Sequence, residues 1–165
     1  MLRHSTMDTP AGPFTVIVSR EGAVRASGFT TDVAELMRLV HPTLAGPVAE
    51  DDDVGPARTA VRDYLGGDLA ALDAVPVEQV TGGAFMSRAW DVMREIKPGA
   101  PVTYTQYAEL AGRPAAVRAA AAACARNAVA LFLPCHRVLR TDGSLGGYRW
   151  GLPVKSWLLE HERFV

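Results

Sequence analysis

Along residues 3–28, apolar and polar side chains alternate, and the alternation breaks where turn residues cluster. Thr9-Pro10-Ala11-Gly12-Pro13 separates a predicted strand near 3–8 from one at 14–19, and Glu21-Gly22 separates that from one near 23–28. Period-two segments punctuated by Gly and Pro predict an antiparallel meander. Val33, Leu36, Met37 and Val40 then take up helical spacing, which predicts a helix over 32–40. Residues 42–53 read as loop and end in Glu50-Asp51-Asp52-Asp53. A helix over 57–65 closes at Gly66-Gly67, and 75–80 is extended. Gly82-Gly83 is the best boundary, because the pattern beyond it turns helical.

The second half opens with an amphipathic segment over 85–96, carrying Phe85, Ala89, Val92, Met93 and Ile96 on one side and stopped by Pro98-Gly99. Thr103-x-x-Gln106 has the form of a capping box for a helix over 105–111. Gly112-Arg113-Pro114 is a tight turn with Pro at the start of the next helix. Two short helices joined through a Gly-containing turn match a helix-turn-helix. The second helix is Ala115-Ala116-Val117-Arg118, five alanines over 119–123, then Cys124, Ala125 and Arg126. Alanine favours helix but carries little burial energy. Such a helix either packs closely on a neighbour or approaches something broad without projecting side chains. Reading the major groove needs Arg, Asn or Gln at base edges, and this helix offers almost none. A smooth face with Arg118 projecting suits shape-based minor-groove contact. Asn127 follows, then a short apolar strand over 130–133 that delivers Pro134-Cys135-His136-Arg137-Val138. Asp142-Gly143 is a hairpin-turn signal, 146–151 is loop, and 154–162 is a final helix.

Composition changes this picture little. At 165 residues, 48% hydrophobic and 21% charged, the chain is globular and large enough to bury a core. No apolar run reaches the ~18–20 residues that span a bilayer, and no signal peptide is evident. Two cysteines do not make a disulfide framework, so a reducing cytoplasm is expected, with a thiol available for chemistry. Charge adds more. Residues 1–80 hold six Arg/Lys against twelve Asp/Glu, and residues 81–165 hold eleven against six. Between Arg113 and Arg149 there are six Arg and one acid, Asp142. Such a stretch either forms a solvated basic face or meets a polyanion, and Arg neutralising phosphate is the usual source of nucleic-acid affinity.

Cys135 followed by His136 places a thiol beside an imidazole. A neighbouring base supplies the thiolate, which is the real nucleophile, and an acid is then wanted to orient the imidazole. A buried structural cysteine is the alternative. Cys124, Cys135 and His136 lack the spacing of zinc ligand pairs.

Pro134-Cys135-His136-Arg137-Val138 resembles the active-site motif of the O6-alkylguanine-DNA alkyltransferases, also called methylated-DNA–protein-cysteine methyltransferases. The similarity runs without a gap from 102 to 162. It includes Thr103-Tyr104, Ala111-Gly112, Arg113-Pro114, Val117-Arg118, Asn127, Asp142-Gly143, Gly147-Tyr148-Arg149-Trp150-Gly151 and Lys155, and the Gly-Tyr-Arg-Trp-Gly run is most similar to the bacterial branch. The resemblance implies an α+β protein: an N-terminal ribonuclease H-like α/β domain over 1–80, then a mainly helical, winged-helix-like domain with a helix-turn-helix over 81–165. It implies that Cys135 accepts the alkyl group, that His136 deprotonates it through a water, and that Glu162 holds and charge-stabilises His136. Asn127 would bridge the helix-turn-helix to the reactive turn, or simply cap its helix. Tyr104 would donate a proton to the departing guanine, and Tyr148 would line the base pocket. Backbone groups of Cys135, Val138 and Arg149 would read the guanine edge. Arg118 would fill the gap left by a flipped nucleotide, with Ala116 and Ala119 against the duplex.

The function so implied is DNA repair by irreversible transfer of an alkyl group from O6-alkylguanine in double-stranded DNA, with O4-methylthymine as a second substrate. The guanine O6 substituent is buried in a paired duplex, so the nucleotide must be extruded. The product is a thioether, and a thiolate leaves an sp³ carbon poorly, so a single turnover is expected. No cofactor or metal, no membrane and a monomer acting in the cytoplasm complete the expectation. Met86 stands where the family often has glutamine, and Cys124 lies in the recognition helix as in some bacterial members. A Cys-His-Glu hydrolase and a non-catalytic binder of alkylated DNA are the other classes. The hydrolase has no need of the alanine helix or Arg118, and the binder requires an inert Cys135.

Overall fold

A computed structural model describes residues 1–163. Among these, the chain forms two compact units, one of residues 1–79 with Ala128–Phe132, the other of Val80–Asn127 with the segment from Leu133 onward.

In the first unit, β1 (Leu2–Met7), β2 (Phe14–Val18) and β3 (Val24–Gly28) form the predicted meander. Thr9 to Gly12 closes the first turn through reciprocal backbone hydrogen bonds of 3.2 and 3.0 Å. The central strand β2 is buried at all five residues, so its Phe14-Thr15-Val16-Ile17-Val18 run serves both faces of the sheet. After α1 (Val33–Met37), whose Asp32 side chain accepts from the Glu35 amide, the chain enters β4 (Val48–Glu50). That strand lies within the stretch expected to be loop. It pairs parallel to β1, giving the order β3-β2-β1-β4 of a ribonuclease H-like sheet. Three residues, one of them acidic, carry no period of their own, and only the edge of β1 makes them a strand. α2 (Ala57–Leu65) buries Ala57, Ala60, Val61 and Tyr64. The outer edge of β3 is not left bare: Val24 bridges Val77, and Ser27 bridges Val129. Unpaired edge amides are a liability, and these segments satisfy them.

The second unit contains α3 (Ala84–Met93), β5 (Val102–Thr103), α4 (Tyr104–Leu110), α5 (Val117–Ala125), β6 (Val138–Leu139) and α6 (Leu152–Arg163). The expected capping box is present: the Gln106 amide donates to Thr103 Oγ1 at 3.1 Å and the Thr103 amide to Gln106 Oε1 at 2.8 Å. α4 ends at Gly112, whose φ of +90° is left-handed. The amides of Gly112 and Arg113 return to the carbonyls of Glu109 and Ala108, a Schellman closure that turns the chain towards α5. Pro114 does not begin α5. It sits in a separate turn, and the helix starts at Val117 with Ala116 as N-cap.

Residues 130–133 are not a strand. They hold isolated bridges and a turn in which Leu131 has φ +78°, a left-handed conformation rare for leucine. Apolar residues in a short run predict extension. This run is instead buried at every residue from Ala128 to Leu133, and burial alone accounts for its composition. Asp142-Gly143 does turn the chain, with the Arg140 amide donating to Ser144 O at 3.0 Å, but no ladder follows.

The alanines of α5 have a packing role. Ala120 and Ala123 are fully buried, and α5 lies against both α3 and α4. Trp90 of α3 donates its indole N–H to the Ala123 carbonyl at 3.0 Å. That carbonyl is one of the last four of α5, which lack intrahelical donors. Larger side chains at 120 and 123 would hold α5 off the indole. Trp90→Phe keeps the ring but leaves this buried carbonyl unpaired. Urea unfolding should show a loss of about 1–2 kcal/mol, while Ala120→Leu should cost about 1–3 kcal/mol by overpacking.

Candidate active site

Cys135 and His136 lie on a single 3-10 turn, Cys135–Arg137, that follows Pro134. All three side chains are buried. His136 Nε2 and Glu162 Oε2 are 2.7 Å apart, and neither side chain is exposed at all. Glu162 arrives from the last turn of α6, as far from His136 in sequence as helix and loop require. Arg137, next in the turn, completes the arrangement. Its Nε donates to Glu162 Oε1 at 2.8 Å, its Nη2 to Oε2 at 3.0 Å, and its Nη1 to the Ile96 carbonyl at 2.7 Å. Planar, bidentate pairing of this kind is what a guanidinium offers and an ammonium does not.

Burial by itself raises the Glu162 pKa, but the hydrogen bonds and charge of His136 and Arg137 outweigh it and hold the carboxyl well below its usual range. Burial lowers the His136 pKa and outweighs the opposing pull of Glu162. At neutral pH the imidazole is therefore neutral, Glu162 is ionised and Arg137 is the balancing cation. A neutral imidazole facing a carboxylate carries its proton on Nε2. Nδ1 is then a lone-pair acceptor, buried and without a hydrogen-bond partner.

Around the thiol, burial pushes the Cys135 pKa up, while a hydrogen bond with the Asn127 side chain and the positive charges of Lys155 and Arg149 pull it down without cancelling the rise. Asn127 lies just beyond α5 and donates from Nδ2 to the Leu133 carbonyl at 2.9 Å. It thus ties the end of α5 to the stretch of chain that leads into the Cys135–Arg137 turn. Lys155 is wholly buried, and its Nζ donates to the carbonyls of Val138, Leu145 and Gly147 at 2.8, 2.5 and 3.2 Å. One ammonium thereby joins β6 to the 145–147 loop. Arg149 is exposed, and its guanidinium donates to the Ala125 carbonyl at 2.6 Å, closing the C-terminal end of α5.

Tyr104 opens α4. Burial first, and then the nearby Cys124 and Cys135, push its phenol up to about 12, so it is a protonated donor at neutral pH. Gly146 passes this ring with φ +73°, a left-handed conformation that favours glycine; a Cβ there would be in ordinary contact with Tyr104 Oη at 3.6 Å and Arg140 Cγ at 3.4 Å. Tyr148 is half-buried in the same loop, and Val138 is fully buried with its carbonyl on Lys155. Cys124 is a free, half-buried thiol on α5. Arg118 belongs to α5 as well. It is exposed on the first turn of α5, with Ala116 and Ala119 half-buried beside it.

The structure therefore brings Cys135, His136, Glu162, Asn127 and Tyr104 into one neighbourhood with Val138 and Arg149, with Tyr148 in the loop after Gly147, while Arg118 is exposed and Ala116 and Ala119 are half-buried on α5. Arg137 and Lys155 were not singled out as site residues from the sequence. For Arg137 the available signal is a basic residue in the buried run 127–138, whereas Lys155, among exposed and half-buried neighbours, carries no such signal.

A family model described as "6-O-methylguanine DNA methyltransferase, DNA binding domain" matches residues 84–164. A methylated-DNA–protein-cysteine methyltransferase from Shigella flexneri is 32% identical over 168 residues, covering 99% of this chain and 97% of the relative. The crystal structure of the O6-methylguanine methyltransferase from Mycobacterium tuberculosis superposes with a TM-score of 0.77 at 27% identity, covering 99% of this chain and 93% of that one. A structure of that protein in complex with DNA gives 0.72 at 27% identity over 98% and 92%. A similarity of this extent, spanning both units and the reactive turn, places the chain in the methylated-DNA–protein-cysteine methyltransferase family.

Proposed function

We propose that the protein repairs DNA by moving the alkyl group of O6-alkylguanine onto its own Cys135, with O4-methylthymine as a second substrate, and is consumed in doing so. The observation that carries this reading is the orientation of His136. Its Nε2 is held on an ionised, Arg137-paired Glu162, which leaves Nδ1 as the basic nitrogen of a residue that shares its 3-10 turn with Cys135.

The thiol rests protonated, because burial raises its pKa. Nδ1 takes the Cys135 proton through a bridging water, and the imidazolium formed is stabilised by Glu162. The thiolate, steadied by the Asn127 amide and by Lys155, attacks the alkyl carbon. The S–C bond forms as the C–O6 bond breaks, and the electron pair of that bond passes to the guanine. Tyr104 supplies a proton to the leaving base and regains one from the imidazolium by way of solvent, so the thiol proton ends on guanine. Backbone groups of Cys135, Val138 and Arg149 meet the base edge, and Tyr148 lines the pocket. The resulting thioether has no residue placed to reverse it.

DNA meets α5 on this reading. Its exposed face is made of small side chains, and its first amides have no side-chain cap, so its positive end is open to phosphate. Lacking base-reading residues, it suits the minor groove. Arg118 occupies the space of the extruded nucleotide, and the protein acts as a cytoplasmic monomer. No helix among the described residues is long and apolar enough to cross a membrane.

Intact-mass measurement after incubation with a duplex bearing one O6-methylguanine should show a gain of one methylene, once per protein, absent with unmodified duplex and with Cys135→Ser. A mobility shift with no mass gain would instead identify a damage binder with an inert thiol. Arg118→Ala should slow transfer from duplex by about tenfold or more and leave transfer from the free base O6-methylguanine unchanged. Glu162→Gln should slow transfer about 100-fold and, by stranding Arg137, cost about 3 kcal/mol at neutral pH.

Both buried groups also make stability depend on acid. The His136 pKa is depressed below its ordinary 6.5 and that of Glu162 below its ordinary 4.5. Unfolding therefore takes up protons at each residue as the pH falls through those ordinary values. The wild-type Tm should drop from about pH 6.5 downward and more steeply below 4.5, and Glu162→Gln should remove the lower phase.

A further inference from the structure

Between Asn127, which touches the thiol, and Leu133, two residues before it, the chain runs through five residues that belong to the first compact unit. They are gripped there. The Ser27 amide donates to the Ala128 carbonyl at 2.9 Å, and Ser27 Oγ donates to the Ala130 carbonyl at 2.7 Å. Gln79 Oε1 accepts from the Ala128 amide at 2.8 Å. Phe132 packs on Phe14 with ring centroids 6.4 Å apart. Ser27 is fully buried, and its hydroxyl reaches a carbonyl 103 residues away in sequence. Within the segment Leu131 is left-handed, a conformation leucine does not adopt unless its flanks are pinned. The two ends of the segment are joined by the Asn127 Nδ2 bond to Leu133 O. The segment is thus pinned at 128 and 130 within the first unit, and its two flanking residues are bonded to each other.

We propose that Ser27 and Gln79 are positioning residues for the reactive turn, acting through the pinned segment 128–132 to hold the Asn127 amide in register with the Cys135 thiol. This gives residues 1–79 a part in the chemistry although none of them touches the reacting atoms. The inference rests on the proposed role of Cys135 only for its consequence in repair.

Ser27→Ala removes the hydroxyl donor. Gln79→Met removes the acceptor, and Gln79→Glu retains it at a half-buried position, so that pair separates the hydrogen bond from side-chain bulk. Each full-length variant is treated with iodoacetamide across pH 6–10, and labelling of the Cys135 peptide is followed by mass spectrometry beside the Tm. Ser27→Ala and Gln79→Met should label with a pH midpoint displaced upward, because the thiolate loses the Asn127 donor. Gln79→Glu should follow the wild type. With saturating O6-methylguanine duplex, the two disabled variants should transfer methyl about tenfold more slowly at unchanged duplex affinity. Unaltered Cys135 labelling in folded Ser27→Ala and Gln79→Met overturns the proposal, as does equal behaviour of Gln79→Met and Gln79→Glu. Displaced labelling in a protein whose wild type transfers no methyl group would sustain this inference and sink the proposed function instead.

Discussion

Glu162 has no exposed side-chain surface, yet it is charged, and the second unit is arranged to make that tolerable. Taking a carboxylate out of water costs several kcal/mol even after relaxation. The cost is offset only because His136 and Arg137, adjacent on one tight turn, both reach it. This explains why the turn is a 3-10 turn and why α6 must dock with its last turn beneath it. Arg137 gives a further donor to the Ile96 carbonyl. Removing any one of the three leaves a buried polar group or charge unpaired. The orientation of His136, which on the proposed function governs proton removal from Cys135, is thus a by-product of solving an electrostatic problem.

Lys155 repeats the logic with the opposite sign. Among the described residues its buried ammonium has no carboxylate partner and is satisfied by three backbone carbonyls drawn from β6 and from the 145–147 loop. Burial lowers its pKa, and the two thiols push the other way. Among the described residues no carboxylate pairs with this ammonium, and its charge acts on Cys135. The charge helps the thiolate and the ligation shapes the loop, so one side chain couples the form of the site to its electrostatics.

Local chemistry was the legible part of the sequence. Thr103 and Gln106 form their box, Gly112 closes α4, and the meander keeps its turns, because each of these depends on residues within a few positions. Cys135 and His136 were recognisable for the same reason. What escaped is non-local. β4 exists only because β1 offers an edge, and the apolar run after Asn127 signals burial without revealing a turn. Arg137 sits in a basic stretch whose other members are mostly solvated, so its inward direction is visible only once Glu162 is placed opposite. Lys155 likewise looks like an ordinary helical lysine until the carbonyls around it are seen.

The alanine face of α5 has a kinetic corollary on the proposed function. A side chain that bonds to a base edge makes some registers of the duplex deeper wells than others, and a protein moving along DNA lingers in them. A face of methyl groups meets every step with nearly the same energy. Phosphate attraction then supplies a level track, along which hopping and sliding are limited by friction rather than by sequence. For a lesion that can arise at any guanine, such evenness shortens the search. The residues that keep α5 seated on Trp90 would thus also set how quickly damage is found.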